Sequence, residues 1–367
     1  MNNLDTKTWW QIDLEGMPHF DMAMKRVYAW YEQEVIDRVP VRFVAHNAAF
    51  NVESGERRTP EEQRALWFDV EYQVEKYLNE IEGKQFHAET FPIFSPNLGP
   101  DVYAAFYGPE LEFGDITSWS HPFVKQWSDV EKLHFSKENV YFKKIEELTQ
   151  HALERCGGKF LVGYTDFHPG EDCAMAWRGS TQICMDVYDS PEQLQALIQF
   201  AFKDFQEIYD HFDAMIKAGG QPSSTWIGVP SFGKMHVPSC DWGAMISPKF
   251  FEKFSLPYLR EEVKPMGQNI YHVDGPGVAR QLDHILSVPE VHAIQWVQGL
   301  GRLEPIMQWV PLIQKVQDAG RAIIVDLKPD ELDGFMAAVR PEGIFLWIGT
   351  ETEEEELAIL KQVERWV

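Results

Sequence analysis

The residues best suited to chemistry in this chain come in pairs two positions apart. Asn269-Ile270-Tyr271-His272-Val273-Asp274 is a short alternating run that stops at Gly275-Pro276-Gly277. Side chains alternate along a strand, so His272 and Asp274 face the same way where the strand gives out. An imidazole and a carboxylate converging there can bind a metal, work as an acid–base pair or clamp a polar ligand. They can equally serve structure, His272 in a satisfied hydrogen bond and Asp274 capping the next helix. Asp166 and His168 repeat the spacing on a Gly/Pro loop, with Asp172 and Arg178 close behind. Arg178 has the planar fork that clamps a carboxylate, or that pairs with Asp172 or Asp186. Gln295-Trp296 offers an amide and a flat face to a ligand, or Trp296 fills the core. Cys240, next to Asp241, reads as a soft metal ligand or as an inert small hydrophobe.

These residues need a scaffold that brings them together, and the order of elements predicts one. Strand-like runs occur at Val41–Ala45, Phe91–Phe94, Phe160–Tyr164, Thr225–Val229, Ile270–Val273, His292–Val297, Ala322–Val325 and Ile344–Ile348. Most are followed by a helical stretch. Thr59-Pro60-Glu61-Glu62, Ser190-Pro191-Glu192 and Thr352-Glu353-Glu354-Glu355 carry the capping residues of helix starts. Pro257 must kink or interrupt the helix begun at Ser247-Pro248. Residues 101–140 read as an irregular aromatic-rich excursion. Eight strands alternating with helices predict an α/β fold, a (β/α)8 TIM barrel covering residues 38–367. Residues 1–37 are expected to form an N-terminal helical extension. In such a barrel the site gathers at the C-terminal strand ends. That rule selects Asn47, Asn97, Asp166 with His168, the Ser231–Asp241 loop including His236, His272 with Asp274, Gln295 with Trp296, Asp326, and Thr350 with Glu351.

The composition bounds the partners. The chain has 367 residues, 44% of them hydrophobic and 13% aromatic, enough for a large packed core. Its formal net charge of −24 argues against nucleic acid and against an anionic membrane surface. The four cysteines are scattered without a Cys-x-x-Cys spacing, so neither a disulfide framework nor a zinc ribbon is expected. The first twenty residues lack the basic start and apolar centre of a signal peptide, and no run has the ~18 apolar residues of a membrane span. A soluble cytoplasmic protein is the expectation.

Several segments in order along the chain resemble the uroporphyrinogen decarboxylase-like superfamily. They are Asp37-Arg38-Val39-Pro40-Val41, Trp177-Arg178-Gly179 with Asp186 and Ser190-Pro191-Glu192, Met245-Ile246-Ser247-Pro248-Lys249-Phe250-Phe251 with Leu256-Pro257-Tyr258, and Tyr271-His272-Val273-Asp274-Gly275. The resemblance implies one (β/α)8 barrel with a mouth-facing site and offers two chemistries. Decarboxylases of the superfamily carry Arg-Gln-Ala-Gly-Arg after the first strand, where this chain has His46-Asn47-Ala48-Ala49-Phe50. Their Asp after the second strand falls near Asn97. Corrinoid-linked methyltransferases carry a His-x-Cys pair after the fifth strand and a later Cys, which bind zinc. Here the pair reads His272-Val273-Asp274, and no Cys follows Cys240. Zinc accepts imidazole and carboxylate oxygen, so the implied metal site is His272, Asp274 and Glu351.

The resulting expectation is a methyltransferase moving a methyl group between a small methylated substrate and a corrinoid protein. In it His272, Asp274, Asp166 and His168 are catalytic, and Asn47, Asn97, Arg178, His236, Gln295 and Trp296 bind substrate. The alternatives are a carboxy-lyase of the decarboxylase type on a small acid or porphyrinogen, and a non-catalytic barrel binding a small ligand or tetrapyrrole. A homodimer is compatible with all three.

Overall fold

Short parallel strands, each too brief to bury a core alone, are assembled here around one curled sheet. The computed structural model describes residues 12–45 and 58–366. Its strands are β1 (Val41–Ala45), β2 (Ile93–Phe94), β3 (Leu111–Phe113), β4 (Ser118–Ser120), β5 (Leu161–Val162), β6 (Met235–His236), β7 (Gln268–Asp274), β8 (Ala293–Val297), β9 (Ala322–Leu327) and β10 (Ile344–Thr350). Six of them form a parallel sheet in the order β1-β10-β9-β8-β7-β6. β2 and β5 form a separate parallel pair, and β3 and β4 an antiparallel hairpin inside the stretch expected to be irregular. Single backbone bonds extend the pairing beyond these ladders, from Glu89 N–H to Val41 O (2.8 Å) and from Tyr164 N–H to Ser224 O (2.9 Å). β8, β9 and β10 are buried almost end to end, which is why their sequences are aliphatic rather than alternating.

Two departures from the expected strands have local causes. Thr225–Val229 is not a strand. Gly228 N–H bonds back to Thr225 O at 3.0 Å, and Gly228 has a φ of +69°, a turn conformation that β-branched neighbours cannot override. Pro222 and Pro230 flank the segment and lack ladder donors. Met235–His236, expected in a loop, pairs with β7 instead.

Helix boundaries follow the capping chemistry. Thr59 accepts from Glu62 N–H, and Glu62 accepts from Thr59 N–H, completing the box. The helix begun at Thr59 ends at Asp69, whose side chain caps a second helix, Val70–Ile81, through Tyr72 N–H at 3.0 Å. Pro257 separates Pro248–Phe254 from Leu256–Val263. Thr352 caps the last helix through Glu355 N–H, but the Glu355 carboxylate turns to Glu351 N–H. No helix of the described residues is long and apolar enough to cross a membrane.

The helix Phe20–Tyr31 packs against the sheet, with the Trp30 indole donating to Gly343 O at 2.8 Å. The fully buried Glu89 ties this helix to β1. It takes a two-pronged contact from Arg38 (2.7 and 3.1 Å), one from Arg26 (3.2 Å) and one from Val41 N–H (2.8 Å). Removing one partner of a buried ion pair leaves the other charge unpaired, so Glu89→Ala is expected to cost about 3–5 kcal/mol. Urea unfolding of that variant checks the figure.

Candidate functional site

β7 delivers His272 and Asp274 to the inner face of the sheet at its C-terminal end. In the parallel register His272 lies beside Gln295 of β8, and its Nδ1 donates to Gln295 Oε1. That bond fixes the tautomer: Nδ1 carries the proton and Nε2 keeps a bare lone pair. Among the described residues Nε2 has no hydrogen-bond partner. Burial pulls the His272 pKa below its ordinary value, against the Gln295 bond, so the ring is neutral at pH 7. The edge of the Trp226 indole stands against this ring at 5.3 Å. Asp274, one pleat further out and exposed, lines a cleft of about 480 Å³ with Val297, Asp326 and Trp347.

A second arm comes from the loop after β5. His168 Nε2 donates to Asp166 Oδ2 at 2.9 Å, and its Nδ1 donates to Ser239 Oγ at 2.8 Å. Ser239 passes its own proton to Asp172 Oδ2 at 3.0 Å. Asp172 also accepts from Asp241 N–H (3.1 Å) and Trp242 N–H (3.2 Å). Burial alone would lower the His168 pKa, but Asp166, Asp172 and Asp241 together push it up to about 10. Burial likewise opposes the charge on Asp166, yet His168 and the Trp226 N–H (2.8 Å) hold its pKa low. Trp226 thus touches both arms. Asp241 behaves oppositely: burial and the nearby Asp172 and Asp274 charges, opposed by His168, raise its carboxyl to about 7. Asp241's carboxylate accepts no hydrogen bond among the described residues. The close approach of β5 to the segment that carries Trp226 depends on Gly163, where a Cβ would meet Ser224 O at 2.8 Å.

The remaining sequence-derived candidates separate. Asn97 caps its own turn through Gly99 N–H (2.7 Å) and lines a smaller cleft of about 160 Å³ with Asp166 and Trp226. Asn47 lies outside the described residues. Gln295 is at the site as the partner of His272, but Trp296 is not. Adjacent strand residues face opposite ways, and Trp296 is buried in the helical layer against Trp309 at 4.9 Å. Arg178, expected to clamp a substrate, is spent on Asp186 (2.6 and 3.2 Å) and on Val124 O and Lys125 O (2.9 Å each). His236, also expected to bind substrate, is buried behind the wall. It contacts Glu262 Oε1 at 2.6 Å and packs on Phe205. Burial takes its pKa to about 3, so it accepts the proton that Glu262, itself pushed up by burial, retains.

The expected metal set does not assemble. Among the described residues no three His, Cys, Asp or Glu side chains gather as ion ligands, and Glu351 is exposed, its N–H bonded to Glu355. His272 gives Nδ1 to Gln295, and Asp274 faces the open cleft. These residues do not fit zinc, whose sites bring at least three protein ligands together.

Sequence reasoning missed Trp226, Ser239 and Arg42. Trp226 was hidden by the misread fourth strand. Ser239 lies in the flagged Ser231–Asp241 loop without a signal of its own. Arg42 carries a signal that was readable: a charged residue inside the otherwise apolar run Val41–Ala45.

No protein-family model matches the chain, and no curated protein matches it. Among solved structures the chain is similar to a methyltransferase from Methanosarcina mazei, at 13% identity and a TM-score of 0.60, over 94% of this chain and 98% of that one. It is also similar to the homocysteine methyltransferase MmuM from Escherichia coli in its metallated form, at 11% identity and a TM-score of 0.38, over 89% and 96%. The first likeness is one of fold; the second is too loose to support an argument.

Proposed function

We propose that this chain is an enzyme that transfers a methyl group from a small O- or N-methylated substrate to a corrinoid carried by a partner protein in the cytoplasm. In this reading residues 38–367 close as a (β/α)8 barrel of the uroporphyrinogen decarboxylase-like kind, with residues 1–37 as a helical extension. The β2–β5 pair and the Glu89–Val41 and Tyr164–Ser224 bonds support closure between the outer strands of the sheet.

One observation carries the functional reading. A proton acceptor and a proton donor, His272 Nε2 and the Asp241 carboxyl, lie without internal partners in one cluster of strand-end residues, where each senses Asp166, His168 and Asp274. When a methyl group leaves an oxygen or nitrogen, the bond pair stays on that atom, which must gain or keep a proton. Asp241, protonated up to about pH 7, supplies it. His272 Nε2 accepts a hydrogen bond from the substrate and orients it, with Gln295 holding the tautomer. Asp166 and His168 form a fixed charge pair beside the reacting atoms, and Asp274 and Asn97 line the two clefts. The corrinoid would supply the methyl-accepting cobalt. The segments that resemble the superfamily, in their order along the chain, and the fold likeness to a methyltransferase support methyl as the group moved. Zinc has no part in the proposal.

The test uses purified protein, a panel of small methylated ethers and amines, and chemically reduced free cobalamin as acceptor. Formation of methylcobalamin, read from its absorbance, is the expected result with at least one compound. Failure across the panel, together with CO2 release from a small acid, would replace this reading with the lyase.

A further inference from the structure

The parallel register sets a row of inward-facing residues across the sheet above His272. Arg42 of β1 lies beside Trp347 of β10, which lies beside Asp326 of β9; on β7 and β8, Asp274 lies beside Val297. Trp347, Asp326, Val297 and Asp274 line the 480 Å³ cleft. Arg42 sits beneath its Trp347 wall, with the guanidinium 4.6 Å from the indole centroid.

Behind this wall of the cleft lie donors short of acceptors. Arg42 makes one hydrogen bond, from Nη1 to Ile227 O at 2.7 Å; the Asp326 charge acts on it from beyond ion-pair distance, and among the described residues no carboxylate is closer than that. The Trp347 indole N–H is buried and has no hydrogen-bond partner among the described residues. Burial lowers the Arg42 pKa to about 10, so it remains charged at neutral pH. A guanidinium withdrawn from water with so little compensation is costly, unless an anion completes its shell. The backbone is shaped to allow this position. Gly228, at a φ of +69°, passes so close that a Cβ there would stand 2.7 Å from the Arg42 Cζ.

The β9 and β7 side of the row has the reverse imbalance. Asp274 and Asp326 line the cleft without a hydrogen-bonded cation among the described residues, while Lys328 is engaged with Glu304 at 3.3 Å. Acceptors without donors favour a cationic group. A ligand with an anionic group toward β1 and β10 and a cationic group toward β9 and β7 is a zwitterion.

We propose that Arg42 and the Trp347 indole N–H hold the carboxylate of a small N-methylated amino acid, whose ammonium end lies against Asp274 and Asp326. The proposal rests on this mouth being the substrate site, and it narrows the substrate class. Arg42 is a binding and specificity residue in it. Its planar fork fits a carboxylate as a point-charge lysine does not.

Titration calorimetry tests it with N,N-dimethylglycine and N,N,N-trimethylglycine against dimethylaminoethanol and choline, in which a hydroxyl replaces the carboxylate. The expected result is binding of an acid by the wild-type protein and no binding of its alcohol counterpart. Arg42→Gln is expected to weaken acid binding by at least about tenfold, with Arg42→Lys intermediate. Equal affinity for acid and alcohol, no binding of either acid, or unchanged affinity in a folded Arg42→Gln variant overturns the proposal. If Arg42→Gln fails to fold, the acid-against-alcohol comparison on wild-type protein decides alone. The same compounds separate this proposal from the reaction assigned above. Methyl transfer from an alcohol but not from its acid would keep the reaction and remove Arg42 from recognition. An acid that binds through Arg42 and releases CO2 would keep Arg42 and remove methyl transfer.

Discussion

His272→Ala is expected to lower methyl transfer by about 10²-fold, the order of loss when a bound substrate is no longer held in its reactive orientation. The fold should survive. The side chain makes one hydrogen bond, to Gln295, and its loss strands one amide oxygen at a cost of about 1–3 kcal/mol. His272→Asn separates chemistry from packing, because its amide N–H can still donate to Gln295 while the Nε2 lone pair is gone. Both variants should be equally inactive, with Asn melting closer to wild type. The pH profile gives an independent readout. Activity needs His272 neutral, so it falls as pH drops through a pKa held below about 6.5 by burial. It also needs Asp241 protonated, so it falls above about pH 7. The bell-shaped profile should lose its alkaline limb in Asp241→Asn. Full activity in His272→Asn, measured as methylcobalamin formed, would remove His272 from the reaction.

Asp166→Asn is expected to have the largest effect on how stability depends on pH. His168 has a folded-state pKa near 10 against an ordinary value of about 6.5. Its pair with Asp166 therefore contributes fully below about pH 6.5 and is lost as pH rises through 10. The Asp166 pKa is held low, so its own share is present above the ordinary carboxylate range and is lost as pH falls through the depressed value. Asparagine keeps an acceptor for the Trp226 N–H but cannot hold an imidazolium. At pH 6 the variant should be about 2–3 kcal/mol less stable than wild type, discounted for partial exposure of the pair. Between pH 6.5 and 10 its melting temperature should stay nearly flat while that of wild type falls. Parallel curves in scanning calorimetry would mean that the pair carries no linked proton.

Much of the scaffold could be read without coordinates because it follows from local rules. The runs at Val41, Phe160, Ile270, His292, Ala322 and Ile344 form strands because β-branched and aliphatic residues cluster there between turn residues. The capping residues at Thr59 and Ser247 start helices where expected. The fourth strand was misread because Thr225-Trp226-Ile227-Gly228-Val229 has strand composition, and one glycine at positive φ outweighs it. The closeness of Trp226 to both Asp166 and His272 was therefore invisible, although it joins residues 60 apart in the chain on one side.

The candidate site divides along the same line. Spacing alone put His272 and Asp274 on one face of a strand, and Asp166 and His168 at the end of another. A period of two is a property of the extended backbone and needs no partner. The fate of Arg178, His236 and Trp296 was beyond such rules, because each depends on which surface the packed helices present to it. So did the row of Arg42, Trp347 and Asp326, whose members are separated by hundreds of residues or by a crossover helix and meet only through strand register. The amino-acid order by itself determined which segments are strands and which way their side chains alternate, since sterics and hydrogen bonding act within a few residues. The tertiary structure alone decided which charges are paired, which are left facing the cleft, and how far burial moves their pKa values. Those quantities depend on distances between segments remote in the chain and on how much water the packing excludes.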